Sequence, residues 1–227
     1  MEDESHFDFD PIYRGAIAEF GEGRPGWSIG KPQPQIAALI DAGLVVGEVL
    51  DAGCGEAALS LDLAARGPHT VGIDLSPTAI DLAISQARSQ GLTTAQFAVA
   101  DITTLHGYEG RFDTIIDSAL FHSMPVSRRD DYIASMARTA APCARFYVLA
   151  FDRSATPDAP KASVAPVSAD ELAETVAKSW IIDDVQPARH HCRLPEKLPA
   201  HFASISFRDE PDGLKSVAAW LLSAHRP

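Results

Sequence analysis

The chain has 227 residues, with 46% hydrophobic and 22% charged, which fits one soluble domain with a full core. Nineteen Lys and Arg stand against 31 Asp and Glu, a formal net charge of -12 that repels a phosphate backbone and argues against a nucleic-acid partner. No apolar run reaches the length of a membrane span, and the acidic start "MEDESHFDFD" has neither signal-peptide nor transit-peptide character, so the expectation is a cytoplasmic protein without a membrane partner.

The first 35 residues, rich in polar residues, glycines and prolines, are expected to stand apart from the domain proper, residues 36–227. Pro25, Pro32 and Pro34 in "FGEGRPGWSIGKPQPQI" rule out a continuous helix there, and the "GEG" of Gly21 to Gly23 follows no strand and reads as a loop. "QIAALIDAGL" has a short helical pattern that breaks at Gly47. "EVLDAG" then reads as a buried strand and "AALSLDLAARG" as a helix closed by Gly67. "TVGIDL" is a second strand, followed by Ser76 as N-cap, Pro77 as first helical residue, and a helix with Ile80, Ala83, Ile84 and Ala87 on one face. "QFAVAD" and "FDTIIDS" are the third and fourth strands. Ser127 is expected to cap a helix reaching about Ala140, and "RFYVLAF" is the fifth strand.

A Pro/Ala/Ser-rich connector, "DRSATPDAPKASVAP", leads to a helix whose start carries Ser168 and Glu171 at capping-box spacing. "WIIDDVQPAR" and "VAAWLLSAHR" close the chain as strands, separated by an irregular segment around Pro195 to Pro211. Strands alternating with helices predict an α/β, Rossmann-like, doubly wound fold: a mostly parallel seven-stranded sheet with an antiparallel edge hairpin. Ligands in such folds bind at the carboxyl ends of the strands.

That position is taken here by "LDAGCGEA". Gly53 and Gly55 let a ligand approach the backbone, and the helix that follows offers free N–H groups. A pyrophosphate site would have glycine at Ala58 and would be repelled by Asp51, whereas Asp51 suits a ligand with a cationic amino-acid group. Asp74 ends the second strand about 20 residues on, where a ribose hydroxyl finds its acid. Asp101 and Ile102 after the third strand offer an acid for an exocyclic amine and an apolar face for an adenine, although an acid there is also a common helix cap.

"VLDAGCGEA", "VGIDLS", "VADI" and "FDTIIDSALFH", in this order, resemble the motifs of class I S-adenosylmethionine-dependent methyltransferases over about Trp27 to Phe151 and the final strand. "PGWSIGKPQPQI" is similar to the cover segment of the thiopurine-methyltransferase-like group, particularly bacterial enzymes acting on heterocycles and hydroxyquinolones. The resemblance implies methyl transfer from S-adenosyl-L-methionine to an oxygen, nitrogen or sulfur of a small aromatic or heterocyclic acceptor. It implies cofactor binding by Trp27, Gly30, Asp51, Gly53, Cys54, Gly55, Asp74, Leu75, Asp101, Ile102 and Asp117, and it carries Gln33 with Gly30. The chain departs from the family pattern at Ala57 (the last turn glycine), at Ser28 (an Asp) and at "PCA", Pro142 to Ala144, where "PGG" is common.

Several residues keep two readings. Trp27 is a cation–π wall for a sulfonium or an anchor for the cover segment. Asp117 meets the cofactor or is structural, offering its backbone carbonyl. His122 is a candidate general base or a hydrogen-bonding structural residue, and Tyr13 reaches the substrate from the cover. Cys54 reads as a small loop residue without thiol chemistry, and the three cysteines as free thiols. "HHC", His190 to Cys192, is not read as a metal site, because adjacent side chains rarely converge on one ion, and no metal is expected. The alternatives are a non-catalytic S-adenosylmethionine binder and a nicotinamide-dependent oxidoreductase.

Overall fold

The computed structural model describes residues 7–15, 25–155, 164–194 and 204–227. The Gly21–Gly23 loop, the middle of the Pro/Ala/Ser-rich connector and part of the irregular segment after Pro195 lie outside them.

Eight strands form one sheet among these residues: β1 (Val49–Ala52), β2 (Thr70–Asp74), β3 (Ala95–Val99), β4 (Phe112–Ser118), β5 (Ala140–Phe151), β6 (Ile181–Cys192), β7 (Arg208–Asp209) and β8 (Lys215–His225). Their order is β3-β2-β1-β4-β5-β8-β6. The first five are parallel. β8 runs antiparallel between β5 and β6, and the two-residue β7 adds an eighth strand against β8. Because β8 reverses direction twice over, the carboxyl end of β6 returns to the same edge as those of β1, β4 and β5.

The helices are α1 (Asp10–Tyr13), α2 (Pro34–Asp41), α3 (Ala58–Arg66), α4 (Pro77–Ser89), α5 (Arg129–Thr139) and α6 (Ala169–Val176). Alternate strand residues face opposite layers. Leu50, Ile115, Phe146 and Val148 pack with Tyr132, Ile133 and Met136 of α5 and with Leu172 and Val176 of α6. Val49, Ile116, Tyr147 and Leu149 pack with Ile36 and Leu39 of α2 and Leu59 and Leu63 of α3. Every residue of β1 is buried, as a strand covered on both faces requires.

Ser76 caps α4 by accepting from Ala79 N at 3.0 Å, and Ser168 with Glu171 forms the reciprocal capping box of α6. Ser127 does not start α5. It sits in a 3-10 turn, Val126–Arg128, and the helix begins at Arg129 without a side-chain cap.

Two departures from the family pattern keep a glycine's backbone. Ala57 has φ +64° and Cys143 φ +60°, the left-handed region in which an L-residue is strained by about 1–2 kcal/mol. The Ala57 methyl is fully buried against Leu61, Ala83 and Ala87. In Ala57→Gly, relief of strain is offset by the lost methyl, about 0.8 kcal/mol, and by extra unfolded-state freedom, about 0.4–1 kcal/mol. Urea unfolding should therefore place Ala57→Gly within about 1 kcal/mol of the parent, and Ala57→Val at least about 2 kcal/mol below it, since a β-branched side chain neither accepts that φ nor finds room.

Candidate functional site

One cavity of about 440 Å³ opens at the carboxyl ends of β1, β2 and β4, where the strand order reverses. The glycine turn is its floor. Gly53 has φ +69°, and a Cβ on it would lie 2.9 Å from the Leu120 side chain. Gly55 has φ +52°, and a Cβ there would come within 2.7 Å of the Tyr13 hydroxyl. A side chain at either position would be strained by the positive φ and would have to displace the neighbour it meets. Gly53 and Cys54 donate their N–H groups to Ile73 O, at 2.8 and 3.0 Å. Gly55 N donates to Asp74 Oδ2 at 2.9 Å, while Asp74 Oδ1 accepts from Ser76 N at 2.9 Å, so the Asp74 carboxylate joins the turn to the start of α4. The Cys54 thiol faces away from chemistry: it packs where Gly72 leaves space, and burial pushes its pKa up.

Asp51 is buried and lines the cavity. Its Oδ2 accepts from Ser60 N at 3.2 Å and Ser60 Oγ at 2.7 Å. Burial raises its pKa to about 6 against those hydrogen bonds, an acid that a cation in the cavity would relieve. Asp101 caps a 3-10 turn, Ile102–Thr104, through Thr103 N (2.9 Å) and Thr103 Oγ1 (2.7 Å), and pairs with Arg128 at 3.1 Å. Burial alone would raise its pKa, but the Thr103 and Arg128 hydrogen bonds outweigh it and hold the carboxyl below its ordinary value. Ile102 is buried beside it, and Leu75 is exposed on the rim.

The cover segment closes the cavity from above. Asp10 accepts from Ser76 Oγ at 2.6 Å and Thr78 N at 3.0 Å, fastening α1 to the N-terminus of α4. Gln33 exchanges two hydrogen bonds with the backbone of His191, at 2.7 and 3.0 Å, and Gly26 O accepts from Arg193 N at 2.7 Å. Ser28, at the family's Asp position, donates to Glu56 Oε2 at 2.7 Å and so ties the cover to the glycine turn. Trp27 is both anchor and wall. Its ring meets Phe9 and Tyr13 edge-on at 5.8 and 6.2 Å, its Nε1 donates to the Tyr13 hydroxyl at 3.4 Å, and it lines the cavity. Tyr13 stands over the glycine turn and not at the acceptor end, and burial raises its phenol pKa, so it stays protonated.

Two expected cofactor residues lie outside this cavity. Gly30 borders a separate, smaller depression with Lys31 and Glu56. Asp117 is fully buried: Oδ1 accepts from Leu120 N (2.8 Å) and Phe121 N (3.2 Å), and Oδ2 from the Tyr132 hydroxyl (2.8 Å). It is the structural acid that shapes the turn carrying His122.

Of the two readings of His122, the geometry bears on the hydrogen-bonding one. It is buried, stacks on Phe151 with centroids 3.8 Å apart, and its Nδ1 accepts from Phe151 N at 3.1 Å. A backbone N–H only donates, so Nδ1 is the bare nitrogen and the ring proton sits on Nε2. Burial drives its pKa well below the ordinary value, helped by His190 and Arg129. In this arrangement Nε2–H is the group left to give a hydrogen bond. Sequence reasoning missed His190, which lines the cavity from the end of β6, buried, its ring edge-on to Phe151 at 5.1 Å. The alternation Ala188, His190, Cys192 on the buried face of β6 was the signal available. Phe7, Phe9, Met124 and Phe151 are further lining residues without a sequence motif. Among the described residues no cluster of three His, Cys, Asp or Glu could hold a metal, and no helix is long and apolar enough to cross a membrane.

This topology and this turn define a class I methyl-transfer fold. The chain belongs to the methyltransferase domain family, whose model matches residues 46–189. It is 51% identical, over 96% of both chains, to the 2-heptyl-1-hydroxyquinolin-4(1H)-one methyltransferase of Mycobacteroides abscessus. A solved structure described as "Conversion of a Disulfide Bond into a Thioacetal Group during Echinomycin Biosynthesis" is 36% identical, with a TM-score of 0.78 over 96% of this chain and 90% of that one. The 1,6-didemethyltoxoflavin-N1-methyltransferase of Burkholderia thailandensis shares the fold at 21% identity, TM-score 0.60, over 85% of this chain and 76% of that one. The protein is an S-adenosylmethionine-dependent methyltransferase, and the nicotinamide alternative falls with that assignment.

Asp51 and Asp117 give the fold a pH signature. Asp117 is raised to about 7 by burial against the hydrogen bonds from Tyr132, Leu120 and Phe121, and Asp51 to about 6, both from an ordinary 3.8. Between the unfolded and folded values these two carboxyls bind more protons in the native chain than in the unfolded one, so their own contribution to stability falls as pH rises from about 4 to about 7, while His122 and His190, lowered by burial, contribute in the opposite direction. Asp117→Asn keeps an oxygen for Leu120 and Phe121. Urea titrations across that range should show the parent losing stability relative to this variant as pH rises.

Proposed function

We propose that the chain methylates the hydroxyl of a small bicyclic heterocycle of the hydroxyquinolone type. The observation that carries this reading is the composition of the cavity's β5–β6 end: Phe151, Met124 and Val164 with two uncharged imidazoles, beside the glycine turn. An aromatic slot with few polar groups suits a flat, largely apolar ring. The 51% identical relative named for a hydroxyquinolone supports the same class.

The residues present fit the cofactor. Gly53, Gly55 and the buried acid Asp51 line the cavity and would hold its amino-acid tail, Asp51 facing the ammonium. Asp74 and Leu75, also in the lining, would meet the ribose, and Ile102 with Asp101 the adenine. When bound it supplies an electrophilic methyl group on a sulfonium. The chain's own part is to orient the acceptor in line with that group, worth up to about 7–11 kcal/mol of barrier. The aromatic cover of Phe9, Tyr13 and Trp27 excludes water and faces the positive charge.

Calorimetric titration should show binding of S-adenosylhomocysteine and none of NADH or NADPH. Incubation with S-adenosylmethionine and a panel of hydroxyquinolones, phenols and thiols should give methylated hydroxyquinolone as the dominant product by mass spectrometry. Cofactor binding without transfer to any member of the panel would instead favour a non-catalytic binder.

A further inference from the structure

We infer that His122 and His190 together form a clamp of uncharged N–H donors that holds the acceptor as its oxyanion, and that neither ring is its general base. The inference rests on the proposed methylation of a hydroxylated heterocycle and goes on to name the ionisation state and the groups that select it.

The first observation is the hydrogen bond from Phe151 N to His122 Nδ1 at 3.1 Å. It leaves no basic nitrogen on that ring, because Nε2 already carries the proton and protonating Nδ1 would set two N–H groups against each other. The charged and titratable groups facing the ring are His190 from β6 and Arg129 from α5, and both oppose a second proton. The second observation is independent. His190 is 2% exposed, and its Nδ1 has no hydrogen-bond partner among the described residues. A buried, unpaired N–H is rarer than an unpaired lone pair, which places the ring proton on Nε2, the one polar atom left to meet a ligand. Burial also lowers the pKa of this ring, to about 3, so it too stays neutral at physiological pH.

The carboxylates that line the cavity, Asp8, Asp10, Asp51, Glu56, Asp74 and Asp101, come from the cover, the glycine turn and the ends of β1 to β3. The end formed by Ser123, Met124, Phe151, Val164 and His190 contributes no carboxylate among the described residues. An acceptor that reaches it neutral has no group to take its proton. An acceptor that has already lost its proton to water needs none: an oxygen lone pair forms the O–CH3 bond, the S–CH3 bond breaks, and its electron pair returns to sulfur. The negative oxygen and positive sulfonium both end neutral. The acceptor that uses both donors is a hydroxyl conjugated with a ring carbonyl, whose ionisation spreads one negative charge over two oxygens.

The test uses the full chain saturated with S-adenosylhomocysteine and 2-heptyl-1-hydroxyquinolin-4(1H)-one as probe, whose absorbance reports ionisation. Titrated across pH, the bound probe should show the anion spectrum at a lower pH than the free probe. His122→Asn keeps an oxygen to accept from Phe151 N but has no counterpart of Nε2–H. His190→Phe keeps the ring packing and breaks no hydrogen bond formed among the described residues. Each should weaken probe binding roughly 10- to 100-fold and return the bound probe's ionisation toward its solution value. With S-adenosylmethionine in place of the product, the acid limb of kcat/KM should track the acceptor's own pKa when a more acidic hydroxyquinolone is substituted, in the parent and in both variants. A bound probe that stays neutral, or an acid limb common to both acceptors and abolished in His122→Asn, would overturn the clamp. Binding as the anion without methyl transfer would uphold the clamp and overturn the proposed reaction, and no binding in any form would overturn both.

Discussion

The site depends on one constraint, the close approach of backbone to neighbouring elements at the turn after β1. Leu120 presses on Gly53 from the β4 side and the Tyr13 hydroxyl on Gly55 from the cover, at 2.9 and 2.7 Å from where a Cβ would sit. The same turn gives its N–H groups to the end of β2 through Ile73 O and Asp74. Three strand ends and the cover segment thus meet on two residues without side chains. A larger residue at Gly53 would press on the turn after β4, and one at Gly55 on the cover, so the floor and the roof of the cavity both depend on this turn.

Around that turn the cavity is electrically divided. Carboxylates gather on the β1–β3 side, where Asp10, Asp51, Asp74 and Asp101 each accept from a backbone N–H group and burial raises the pKa of Asp51. The β5–β6 side presents imidazoles that burial keeps neutral. On the proposed reading this division would favour a cationic cofactor on the carboxylate side and an uncharged or anionic acceptor on the other. The sorting also explains why the cover is aromatic: Phe9, Tyr13 and Trp27 exclude water over the junction without adding a charge that either ligand would feel.

What sequence made legible was what depends on local pattern. Apolar strands alternating with helices predicted the parallel sheet, and the Ser76 and Ser168 caps predicted two helix starts. The glycines after β1 pointed to the strand ends that line the cavity. What stayed open depends on long-range contacts. His122 kept two readings because nothing local reveals that its Nδ1 faces Phe151 N, 29 residues later. Asp117 kept two readings because its partner Tyr132 lies on α5, 15 residues further on. His190 was weighed only for metal, although its neighbour on the sheet, Val217 of β8, comes from the far end of the chain. A cavity end assembled from β4, β5 and β6 has no contiguous motif to read.

The two substituted glycines carry the argument furthest. Ala57 and Cys143 both retain positive φ, so the backbone was not redrawn to suit the new side chains. For Ala57 the buried methyl, in contact with α3 and α4, and the smaller freedom of the unfolded chain together return about as much as the left-handed strain costs. Strain that is compensated locally leaves the cofactor-facing backbone where a glycine would have held it. Departure from a sequence pattern at a turn is therefore weak evidence against its function when the dihedral angles are kept. The decisive quantity is the conformation the position enforces, and here the residue identity changed without it.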